Sequence, residues 1–155
     1  METGLLHIHS ALRYVILGML IFVIIKSWIS WFGKKSFQPA DRKLGAMVMG
    51  LTHIQLIIGL ALYITKKHFQ GFSHMKELKA AGQPELAAVV RFWTIEHLSM
   101  MLLAIVLITI GYSLSKRALT DQGKYLRLAI FFTLGFVLIF AAIPWPFFKD
   151  WGTWF

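Results

Sequence analysis

The sequence predicts an all-α integral membrane protein, a four-helix bundle running up-down-up-down. Three observations lead there. Apolar runs at 5–32, 44–65, 92–114 and 126–144 each approach or exceed the roughly 20 residues a helix needs to cross the hydrocarbon. Of the 155 residues, 57% are hydrophobic, against about 45–50% in a soluble domain. The connections between the first two runs and between the last two are short, which favours antiparallel neighbours.

The first run has no basic region before it and no small-residue cleavage site, so it reads as a retained helix and not a leader. It closes on Lys26, Trp28, Trp31 and Phe32, an interfacial belt, and Gly33 stops it. Pro39 and Asp41 lie in the turn, with Asp41 expected as N-cap of the second helix. Gly45, Gly50 and Gly59 give that helix small surfaces for close packing. The connector 66–91 is the most polar part, and His68 to Lys79 is expected to form a short interfacial helix. Pro84 suits a helix start, so the third helix should begin near Glu85, ahead of its apolar run. Asp121 and Gly123 are expected to make a tight turn, and Pro144 and Pro146 to end the fourth helix. Trp145, Trp151 and Trp154 then fall at the interface. The chain 1–155 thus reads as a single transmembrane domain with spans at about 5–32, 44–65, 88–114 and 126–144.

The formal net charge is +9. Its lysines and arginines cluster at span ends, where they snorkel and meet anionic lipid, so the charge speaks for a bilayer and against nucleic acid. Lys34, Lys35, Arg42 and Lys43 in the first loop, with Lys116, Arg117, Lys124 and Arg127 in the third, place these loops in the cytoplasm. Both termini are then outside, as expected for a bacterial inner membrane protein. The absence of cysteine excludes disulfides, thiolate metal sites, iron–sulfur clusters and covalent haem attachment. No phosphate-binding glycine loop, H-E-x-x-H or serine–histidine–carboxylate arrangement stands out.

Histidines carry the chemistry. An ionisable side chain in lipid is costly and marks a functional site by default. Counted from the run centres, His53 falls near the midplane, His97 about one turn outward and His9 about two. His97 therefore differs in level by about 6–8 Å from His53 and similarly from His9, a mismatch that tilt must absorb. Arg13 follows His9 by four residues and shares its face, and His7 shares a face with Tyr14. Trp93, His97, Met100, Met101 and Ala104 form one stripe; Met49, Gly50, His53 and Ile57 form another. A b-type haem needs imidazoles on facing helices and cations for its propionates. His97 with His53 or His9 offers the first, with His7 a further candidate ligand. Arg13 and Arg91 offer the second, with Tyr14 and Trp93 against the cofactor. Glu96 is a candidate partner for Arg13, and His68 and His74 are expected in solvent.

On "LHIHSALRY", "GLTHIQLIIGL" and "WTIEHLSMML" the chain resembles the small membrane-embedded b-type cytochromes, in which four helices carry haem between histidines of neighbouring spans. The resemblance implies a non-covalent haem b, electron transfer, and quinone or membrane redox subunits as partners. A looser likeness is to the four-helix haem-associated membrane oxidases of protoporphyrin synthesis. A metal-handling protein using His7, His9 and connector histidines, or a structural subunit without cofactor, are the other classes the pattern allows.

Overall fold

The computed structural model describes residues 2–152, so Trp154 lies outside the described residues. Helix α1 spans Glu2–Phe32 and α2 spans Pro39–Thr65. A 3-10 turn, His68–Gln70, leads into the short helix α3, Gly71–Ala80. Helix α4 runs Pro84–Arg117 and α5 runs Asp121–Ala142. Among the described residues, α1, α2, α4 and α5 are long and apolar enough to cross a membrane, the mark of an integral membrane protein.

Chain chemistry sets the helix ends. Pro39 opens α2 at a first-turn position where its missing N–H costs nothing. Gln38 is the N-cap there, not Asp41. Asp41 sits one turn in, accepting from the Gln38 backbone N–H at 3.0 Å to close a capping box. Pro84 opens α4 in the same way. The expected turn at Asp121 and Gly123 is instead the first turn of α5, capped by the Thr120 hydroxyl, which accepts from Gly123 N at 3.1 Å.

Each long helix packs on its sequence neighbours, and α1 also packs on α5. The ring thus closes as a four-helix bundle. Leu20, Val48, Ile108, Leu128 and Phe132 are its fully buried centre. Large apolar side chains such as Phe22, Ile25, Ile29, Ile57 and Val106 point outward, as a lipid-facing surface requires. One end of the bundle is tied by buried Asp41, which pairs with Lys26 of α1 and accepts from the Tyr125 hydroxyl of α5 at 2.6 Å. The opposite end gathers the start of α1, the close of α2, the first half of α4 and the close of α5. There the histidines meet.

Candidate functional site

A cavity of about 420 Å³ opens at that end, lined by α1, α2, α4 and the chain on either side. His9, Arg13, His68, Trp93 and His97 all reach its wall, among Leu56, Leu98, Met101, Ile105 and Ile139. The rings of His9 and His97 have centroids 6.5 Å apart at 63°. The fold therefore brings these two rings close together despite the offset counted from the run centres.

Each ring is placed by local chemistry. On α1, His9 rests against α2 where Gly59 has no side chain: a Cβ there would stand 3.1 Å from His9 Cε1. The Gln55 amide, one turn before Gly59, donates to the His9 carbonyl at 2.8 Å. His9 Nδ1 is buried and has no hydrogen-bond partner, and the same is true of Gln55 Oε1. On α4, the turn Phe92–Glu96 is a π-helix, so one extra residue is wound in directly before His97. Such bulges recur at functional sites because they re-aim a side chain off the helical register. His97 Nδ1 then donates to the Ala142 carbonyl of α5 at 2.9 Å. A carbonyl only accepts, so the proton lies on Nδ1 and the lone pair on Nε2.

Around the pair, Trp93 packs against His97 at 5.4 Å and lies near-parallel to His68 at 6.1 Å. Arg13 donates to the Tyr14 hydroxyl at 3.0 Å, and its guanidinium stands over the Trp145 ring at 5.6 Å. A cation on the cavity wall is costly in an apolar setting and favours an anion within reach.

The other sequence candidates fall elsewhere. His53 is exposed on the outward face of α2, its Nδ1 donating to the Met49 carbonyl of its own helix at 2.7 Å, and it does not line the cavity. His7 is likewise exposed and off the wall. Arg91 is exposed and paired with Glu96 at 2.6 Å, so Glu96 takes Arg91 and not Arg13. His68, expected in solvent, is half-buried on the cavity wall, where burial, with Lys66 beside it, holds it below the usual imidazole range. His74 is exposed, 3.6 Å from Glu77. Gln55 and Ala142 were not expected at the site, and Gly59 was expected only as a small surface for helix packing. Ala142 carried a signal of its own: Pro146 four residues on cannot supply its usual helical donor.

Among the described residues no group of three or more histidine, cysteine, aspartate or glutamate side chains stands together to hold a metal ion. Three imidazoles, those of His9, His68 and His97, reach the cavity wall. No protein-family model matches the chain, and comparison with curated proteins and with solved structures finds no match either.

Proposed function

We propose that the chain is a membrane haem b protein that carries electrons, with His9 and His97 as the residues that would hold the haem iron. The observation that carries this reading is the approach of the two rings across the cavity. Metal–imidazole bonds of about 2 Å, with about 1 Å from each nitrogen to its ring centre, put two such rings roughly 6 Å apart. The centroids here stand 6.5 Å apart. A porphyrin supplies four nitrogens of its own, so two protein ligands complete its iron.

When bound, haem supplies a one-electron carrier. The chain's residues do the rest. Ala142 fixes the His97 ring through its carbonyl, the outer partner that metal-bound histidines need. Leu56, Leu98, Met101 and Ile139 keep water from the cavity. Arg13 offers a guanidinium to a propionate. His53, His7 and Arg91 have no part in this set. Quinone and other membrane redox subunits are the proposed electron partners. The loop lysines support a bacterial inner membrane orientation with both termini outside, which puts the cavity in the outer half of the bilayer.

The test is the reduced-minus-oxidised spectrum of the full chain purified from membranes in detergent. Low-spin haem b bands are expected. A chain that carries no haem, and takes none up when haem is added, refutes the reading; elemental analysis then separates a metal-handling protein from a structural subunit.

A further inference from the structure

In an unbroken helix the carbonyls of Phe140 and Ala142 would accept from the N–H groups of residues 144 and 146. Both positions are proline and have no N–H. Pro144 also drives the residue before it away from helical geometry, and Ile143 sits in extended backbone at φ −82° and ψ 128°. Proline thus removes the helical donor of these two carbonyls at the close of α5. Each is taken by a side chain. Trp145 Nε1 donates to Phe140 at 3.0 Å, and His97 Nδ1 donates to Ala142 at 2.9 Å. The captured tryptophan is the ring over which Arg13 stands.

We propose that Pro144 and Pro146 act as a pair of positioning residues that set the tautomer of His97. With both prolines present, the Ala142 carbonyl has no helical donor and claims the Nδ1 proton. That leaves the lone pair on Nε2, the nitrogen free to bind a metal. The two prolines back each other up. Pro144 keeps the chain out of helix at Ile143. Were it lost, Pro146 would still present no N–H to Ala142. The idea rests on the haem reading only for what the lone pair binds.

The test uses the full chain, with 15N-labelled histidine, in detergent. Long-range 1H–15N correlations report which ring nitrogen of His97 is protonated, with or without haem. Wild type, Pro144→Ala and Pro146→Ala should all show the Nδ1–H form. The double variant Pro144→Ala/Pro146→Ala lets the helix run on and claim the Ala142 carbonyl, so the Nδ1–H preference should be lost. In haem titration the double variant should bind about 10–100-fold more weakly, the usual loss on removing an outer partner, while either single variant binds as wild type does. An Nε2–H form in the wild type overturns the proposal. So does a single variant that loses Nδ1–H, or a double variant that keeps it. If the double variant does not fold, an Nε2–H form in the wild type or a loss of Nδ1–H in either single variant still overturns the proposal. A wild-type chain that takes no haem sinks the haem reading alone, because the tautomer is read without it.

Discussion

Replacing Gly59 by alanine should weaken haem binding while changing apoprotein stability little, because the helix gain and the strain on the His9 ring offset each other. The new Cβ would stand 3.1 Å from Cε1 of His9 and 3.7 Å from its Nδ1. Comfortable carbon–carbon contact begins near 3.5 Å, so the ring must retreat by about 0.4 Å or turn off its rotamer. A strained χ angle costs on the order of 0.5–1.5 kcal/mol, which is about a two- to tenfold loss of affinity if the bound ring must return to its present place. Alanine in place of glycine within a helix adds about 0.5–1 kcal/mol of stability. Gly50→Ala is the control: it lies on the same helix, and a Cβ there meets nothing within 4 Å. It should gain the stability and keep the affinity. Haem titration followed by Soret absorbance, with thermal unfolding of the apoprotein, reads both. Wild-type affinity in Gly59→Ala, or equal losses in the two variants, would refute the placement of His9 as a ligand held against α2.

Three further outcomes follow from the site, its surroundings and the far end of the bundle. Arg13→Gln should loosen haem and lower its midpoint potential, since a positive charge nearby favours the reduced state. The shift is on the order of 1 kcal/mol, a few tens of millivolts, and Arg13→Lys should show less of it. Arg91→Gln should leave potential and haem content at wild-type values, because Arg91 is paired with Glu96 and lies off the cavity wall; potentiometric titration separates the two. Asp41→Asn should cost about 1–3 kcal/mol in thermal unfolding, through weakened bonds to Lys26 and the Tyr125 hydroxyl, with no change in the haem spectrum.

The four spans and their antiparallel order were legible because burial in lipid writes itself as length and composition, independent of packing. His9, Arg13, Trp93 and His97 were legible as candidates because polar groups at membrane depth are few and costly. Their pairing was not. That α4 begins at Pro84, ahead of its apolar run, was legible from the proline. Counting at 3.6 residues per turn cannot see that Phe92–Glu96 winds as a π-turn, and the extra residue re-aims His97. His53 stood beside His9 as a candidate partner because it sits at the centre of its run, but depth says nothing about which face of α2 points inward. Gly59 and Gln55 define that inward face. His68 read as solvated because its neighbours in sequence are polar, whereas its neighbours in space are Trp93 and Tyr63. Asp41 was one turn from the cap it was assigned, since a side chain at the third position of a helix can close the box as well as one at the cap.

The most direct measurement is the low-spin haem signal of three alanine variants purified side by side. His9→Ala and His97→Ala should each lose it while keeping helical circular dichroism, and His53→Ala should keep it in full. Loss in His53→Ala with retention in His9→Ala would contradict the ligand pair and return the iron to the midplane of α2.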